Sequence, residues 1–237
     1  MMIPEETISL FERLVNDARE KAKDEHILEM IQWKVDHTWR VVETGKEILE
    51  GEKGQDWDVG RAMGAFLLHD VGRFEQALLG SYSDKQTGVS HAFLGAEMLV
   101  KAGYKDNEII EAVHDHSLAV YEGSNVYTKL IKDADQLTII GEEYLLEKHP
   151  EQKIASEEVI KTIERGVKLD TSISVGQIDH LLSYWNWKKF LYFSTSKEIF
   201  RNRKYDEMLL GKLRLFDKSG KTEEWLRKST DLLATTV

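Results

Sequence analysis

The stretch AFLLHDVGRFEQ, Ala65 to Gln76, runs four apolar residues straight into His69 and Asp70, and then into Gly72 and Arg73. Apolar runs point inward, and an imidazole or carboxylate buried without a partner costs several kcal/mol. A divalent cation would satisfy both groups at once. Imidazole nitrogen and carboxylate oxygen are good ligands for Zn, Mn, Fe and Co and, less so for the imidazole, Mg. The competing explanation is a hydrogen-bonded structural histidine beside an exposed aspartate, and for an isolated pair it is the better one.

The pair has company. His37 lies at the edge of an apolar stripe running through Met30 and Val41. His91 opens a helical segment and is followed one turn later by Gly95, which leaves room for a close neighbour. His116 closes another segment in VHDHS, where a histidine can simply complement the helix dipole. Asp135 sits in IKDADQL, inside a segment apolar on more than one side. Each has an ordinary structural explanation by itself. Together they are six nitrogen and oxygen donors on five helical segments, which is how helix bundles assemble metal sites in their interiors.

Two choices stay open on spacing alone. His114 and His116 are two residues apart and face nearly opposite sides of a helix, as do Asp133 and Asp135. Periodicity slightly favours Asp133, which shares a stripe with Val126, Leu130, Leu137 and Tyr144.

The elements that must carry these residues read as helices. Apolar spacing and capping residues place them at Glu5 to about Lys23, Glu25 to Glu50, Val59 to Asp70 with Gly72 as terminator, His91 to Ala102 capped by Ser90, Asp106 to His116, and Val126 to about Lys148. Gly80 to Val89 reads as a loop. Further helices are expected at Ser156–Gly166, Val175–Ser194, Ser196–Leu215 and Thr222–Ala234. No segment alternates like a strand. With 237 residues and only two prolines, long helices around one sizeable core are permitted, and the expected fold is an all-α, single-domain helical bundle spanning 1–237.

Composition narrows the chemistry. The absence of cysteine excludes disulfides and thiolate metal sites, so any metal must rest on His, Asp and Glu. A net charge of −10 opposes nucleic-acid backbone and anionic membranes, yet leaves room for a small phosphate-bearing substrate at a local cationic site. The N-terminal MMIPEETISLFERL lacks a signal peptide's basic and apolar regions, and no stretch approaches the roughly 20 apolar residues of a membrane span. A cytoplasmic location is the default expectation.

The order His37, His69-Asp70, then Asp135 in an ADxL setting resembles the HD superfamily of metal-dependent phosphohydrolases. His91 in HxxxG and His116 in VxxH are similar to two further histidines of many members. The resemblance covers about Trp33 to Tyr144 as an HD core, with the helices of 156–237 packing on it, and the HDVGRFEQ form looks like a bacterial subgroup with no single agreed substrate. It implies that His37, His69, Asp70 and Asp135 ligate one divalent ion. His91 and His116 would hold a second with Asp70 as bridge, or line a phosphate pocket where one ion is used. It selects His116 over His114 and Asp135 over Asp133. The implied activity is hydrolysis of a phosphoester or phosphoanhydride of a nucleotide or other small organophosphate, with Asp70 and Arg73 as catalytic residues.

Arg73 could fork onto a phosphoryl group or make a salt bridge with Glu75 or Asp70, and the two readings weigh equally. Lys132 is expected to be solvated rather than bound to phosphate. Trp185 and Trp187 are assigned to core or to a homo-oligomer interface rather than to base stacking. Asp84, Lys85 and Gln86 lie where a loop could set specificity. The rivals to catalysis are a nucleotide sensor that keeps its metal without turnover, a metal-free helical scaffold and a di-iron oxygenase.

Overall fold

A computed structural model describes residues 2–52, 54–55, 57–118, 120–141 and 190–208. Among them the regular structure is helical and strands are absent, so the fold is all-α. The described residues form two compact units, 2–138 with 192–196, and 139–141 with 190–191 and 197–208. All the residues discussed below as a candidate site belong to the first.

In that unit, α1 (Glu5–Lys21) complements its dipole with Glu5 and Glu6 in the first turn and Arg19 and Lys21 in the last. It buries Leu10, Phe11, Leu14, Val15 and Ala18 at helical spacing. The Asp24 side chain caps α2 (Glu25–Gly51) by accepting from the Ile27 N–H at 3.0 Å. The buried stripe of α2 runs Ile27, Ile31, Lys34, His37, Thr38, Val41, Ile48, so a lysine and a histidine occupy positions that the period reserves for the core.

Asp58 caps α3 (Val59–Leu68), which is buried at every position from Ala62 to Leu68. The chain then tightens: Val71, Arg73 and Phe74 donate to carbonyls three residues back, at 2.9–3.3 Å. Gly72 opens α4 (Gly72–Leu78) and does not terminate the preceding helix as expected. Its smallness serves a close approach instead. A Cβ at Gly72 would lie 2.0 Å from the His91 carbonyl oxygen and 2.5 Å from the Gly95 nitrogen. Gly72 and Gly95 are thus the two sides of one contact between α4 and α6.

The expected loop at 80–89 contains a single turn, α5 (Asp84–Thr87), whose N-terminus Ser83 caps and which ends at Gly88 with φ +74°. In α6 (His91–Lys101), Ser90 makes no side-chain cap, contrary to expectation. Asp84 reaches across and accepts from the His91 N–H at 3.2 Å. Asp106 caps α7 (Asn107–Asp115) and also takes a forked bond from Arg61 at 2.6 and 2.7 Å. Asn125 caps α8 (Val126–Gly141), which buries residues around its circumference: Tyr127, Thr128, Leu130, Ile131, Asp133, Ala134 and Leu137. α2 packs on α3 and α4, α6 on α4 and α7, and α1 covers α2, α3 and α4.

The expected helices at Val175–Ser194 and Ser196–Leu215 need correction where they are described. Leu191 to Phe193 are not helical, because the buried Asp133 carboxylate accepts the Tyr192 and Phe193 N–H groups at 3.0 Å. α9 (Ser194–Asn202) follows, and in the second unit it gives way to a turn with Lys204 at φ +54°. There the Phe200 and Tyr205 rings meet edge to face at 5.7 Å. The helices expected within 142–189, with Trp185 and Trp187, and within 209–237 lie outside the described residues.

Candidate metal centre

The end of α3, the start of α6, the end of α7 and the buried faces of α2 and α8 converge on Asp70. His37, His69, Asp70, His91 and His116 are all buried, and Asp135 is partly exposed. One Asp70 oxygen, Oδ2, faces His37 Nε2 at 3.8 Å and His69 Nε2 at 3.6 Å. Asp135 Oδ1 lies 3.0 Å from His37 Nε2 and 3.8 Å from His69 Nε2. The other Asp70 oxygen, Oδ1, faces His91 Nε2 and His116 Nε2, each at 3.6 Å. Two donor groups of metal-binding dimensions result, His37–His69–Asp70 and Asp70–His91–His116, sharing one carboxylate.

The ring partners assign the tautomers. His69 Nδ1 donates to the Phe66 carbonyl at 2.8 Å, and His116 Nδ1 to the Val113 carbonyl at 2.6 Å. A carbonyl only accepts, so both Nδ1 atoms carry the proton. His91 Nδ1 lies 3.0 and 3.2 Å from the two oxygens of Asp84, an acceptor of the same kind. Burial lowers the pKa of His69 and of His91 to about 4, so both rings are neutral at pH 7. Their Nε2 atoms are therefore bare lone pairs. His91 Nε2 and the matching atom of His116 face each other at 3.3 Å beside a carboxylate oxygen, with no proton assigned between them. His69 Nε2 is buried without a hydrogen-bond partner. An unpartnered buried imidazole nitrogen and two facing ones gathered around a shared carboxylate fit a divalent cation.

Burial alone would raise the Asp70 carboxyl, but the Lys34 ammonium and the other polar neighbours together outweigh it and hold the group well below the usual range. Burial also opposes ionisation of Asp135, and the neighbouring His37 and His69 together overcome it and lower its pKa. The carboxyls of Asp70 and Asp135 are thus anionic and the rings of His69 and His91 neutral, the protonation states that metal ligands require.

The structure places the two members of each pair differently. His114 is exposed and pairs with Asp115 at 2.7 Å, whereas His116 turns inward. Asp133 is spent on the backbone of Tyr192 and Phe193, whereas Asp135 faces the histidines. Arg73 does not pair with Glu75, which meets Lys21 at 3.5 Å. Its Nη1 donates to Gln76 Oε1 at 2.7 Å, to the Tyr82 carbonyl and towards Asp84 at 3.4 Å, while Nε lies 3.6 Å from Asp70 Oδ1. Lys132 is not solvated as expected. It is buried, donates to the His116 carbonyl at 3.1 Å and to that of Leu118, and burial lowers its pKa to about 8.

Lys34 was missed by sequence reasoning. Its Nζ lies 2.6 Å from Asp70 Oδ2, and it approaches the Trp33 and Tyr82 rings at 4.9 and 5.7 Å. The signal was a lysine three residues before His37 on an apolar stripe, where no solvated face exists. Gln76, fully buried and bonded to Asp84, Thr87 and the Val89 carbonyl, was also missed.

No curated protein and no solved structure matches the chain. The family model of the HD domain does match, over residues 35–140, a span that holds all six donor residues. The HD domain is a fold of metal-dependent phosphohydrolases, and the described residues hold two His/Asp groups that could take a metal ion. Residues 35–140 thus match the HD domain model, in a fold that is all-α among the described residues.

Proposed function

We propose that the chain hydrolyses a phosphoester or phosphoanhydride of a nucleotide or another small organophosphate. His37, His69, Asp70 and Asp135 would hold one divalent ion, and Asp70, His91 and His116 a second. The observation that carries this reading is the buried, unpartnered Nε2 of His69, aimed between the carboxylates of Asp70 and Asp135. A bound divalent ion supplies Lewis acidity and lowers the pKa of water from about 15.7 to roughly 7.

The chain's own residues supply the rest. Asp70 orients both donor groups through its two oxygens. Two cations flank it, Lys34 beside Oδ2 and Arg73 beside Oδ1. In a chain of net charge −10 they concentrate positive charge where an anionic phosphoryl group would lie. Arg73 is the proposed phosphoryl contact, with Nη1 anchored by Gln76 and Tyr82 so that the guanidinium is held in one plane.

The test is metal analysis of the purified protein, with a phosphatase screen over nucleotides and small organophosphates in Mn, Fe, Co, Mg and Zn. Stoichiometric metal with phosphate release is expected, and Arg73→Lys should lower turnover about 10²-fold with the first ion retained. Metal without turnover of any phosphate compound would favour a sensor, and oxygen consumption by an iron form would favour an oxygenase. A protein that takes up no ion would eliminate the whole reading.

A further inference from the structure

We propose that Asp84 is the positioning residue for the second ion, acting through His91. This rests on the metal-dependent reading above.

His91 has a problem that His69 and His116 do not. Those two close helical segments, and each finds the acceptor for its Nδ1–H three residues back in its own chain, at Phe66 and Val113. His91 is the first residue of α6. A helix N-terminus offers free N–H groups and no spare carbonyls, so the start of α6 cannot supply an acceptor. One must come from elsewhere, and it comes from α5. Asp84 stands 3.0 and 3.2 Å from His91 Nδ1, and Oδ1 also takes the His91 backbone N–H at 3.2 Å. One carboxylate thereby sets both the position of the residue and the rotation of its ring.

Asp84 is itself held. Gln76 Nε2 donates to Oδ1 at 2.7 Å, and Arg73 Nη1 approaches it at 3.4 Å. Gln76 is buried and further tied to Thr87 and the Val89 carbonyl, which fixes α5 against α4. The arrangement leaves His91 Nε2 deprotonated and aimed at Asp70 Oδ1 and His116 Nε2. Because the acceptor is a carboxylate rather than a carbonyl, it also makes the imidazole a stronger donor towards a cation. Such outer partners change metal affinity about 10- to 100-fold when removed.

The Asp84 side chain is 42% exposed, so Asp84→Asn introduces no buried vacancy and alters no volume. The experiment titrates metal-free wild type, Asp84→Asn and Asp84→Ala with Mn(II), following bound metal and the electron paramagnetic resonance spectrum. Wild type should bind two ions and show an exchange-coupled pair. Asp84→Asn should bind the first ion within twofold of wild type and the second at least about tenfold more weakly, and Asp84→Ala should be weaker again. At one equivalent both variants should give the signal of an isolated ion, which a merely structural loss would not produce. A second ion bound within twofold of wild type in both variants would overturn the proposal. So would wild type that binds one ion only, which leaves the first site standing. Wild type that binds none would overturn the proposal and the functional reading together.

Discussion

The two donor groups that share Asp70 are built by different means. His37 comes from the middle of a 27-residue helix, on the stripe that fills the core, and Asp135 from a helix buried around its circumference. Their positions are fixed by packing. His91 and His116 come from helix ends, and His91 depends on a four-residue turn for its orientation. Helix interiors open only with the whole fold, whereas helix ends and short turns open locally at lower cost. His69, at the end of α3, is the one histidine of the first group so placed, whereas both histidines of the second group sit at helix ends. The first group is therefore the more rigid half of the site and the second is the half that sequence change can tune.

The largest effect should come from the residue both halves share. Asp70→Asn should reduce metal content to background and turnover by at least about 10³-fold, because each half loses an anionic donor. It also strips the buried Lys34 of its anionic partner, which should cost about 3–5 kcal/mol of stability in a denaturant titration. Retention of one ion would show that the halves do not depend on a common carboxylate.

Gly72→Ala should separate them. The added methyl meets backbone of α6, which cannot turn aside as a side chain could, so overpacking should cost about 1–3 kcal/mol or more. Since His91 is displaced with α6, the second ion should weaken while the first is retained. Equal weakening of both would mean that the halves move as one body.

Acid should act on both halves alike. His69 and His91 are near 4 in the folded protein and about 6.5 when unfolded, so the unfolded chain binds more protons between those values. Stability of the metal-free protein should be full above about pH 6.5 and fall as the pH drops towards 4. The lowered carboxyls of Asp70, Asp135 and Asp84 continue the loss at lower pH, since protonation again favours the unfolded chain. Urea midpoints from pH 7 to 4 check this, and a flat profile would contradict neutral buried imidazoles. His69→Gln and His91→Gln should each remove a similar share of the slope.

The smallest effect belongs to His114, an exposed histidine that neither half uses. His114→Ala should change stability by less than about 0.5 kcal/mol and leave both ions in place, as measured by the same titrations.

The longer described helices and most of their starts were legible because capping and periodicity are local, whereas the short α4 and α5 were not expected. Asp24, Asp58 and Asp106 each bond an N–H three residues ahead, within reach of any reader of the chain. Ser90 misled for the complementary reason: a cap from Asp84 across a turn is invisible to local rules. Gly72 misled because a stop and a close approach call for the same residue. Asp133 defeated periodicity, since α8 is buried on all sides and period carries no direction there.

By itself the sequence determined an all-α chain without thiolate chemistry, and a set of His and Asp donors in an order that resembles a known metal-binding family. Those are properties of residue type, spacing and order. Only the tertiary structure decided which oxygen of Asp70 serves which histidines, that Lys34 and Lys132 are inside, and that Asp84 orients His91. Apart from the adjacent His69 and Asp70, such assignments depend on distances between residues well separated along the chain, from Asp84 and His91 to Asp70 and His116, and that separation says nothing about separation in space until the helices have packed.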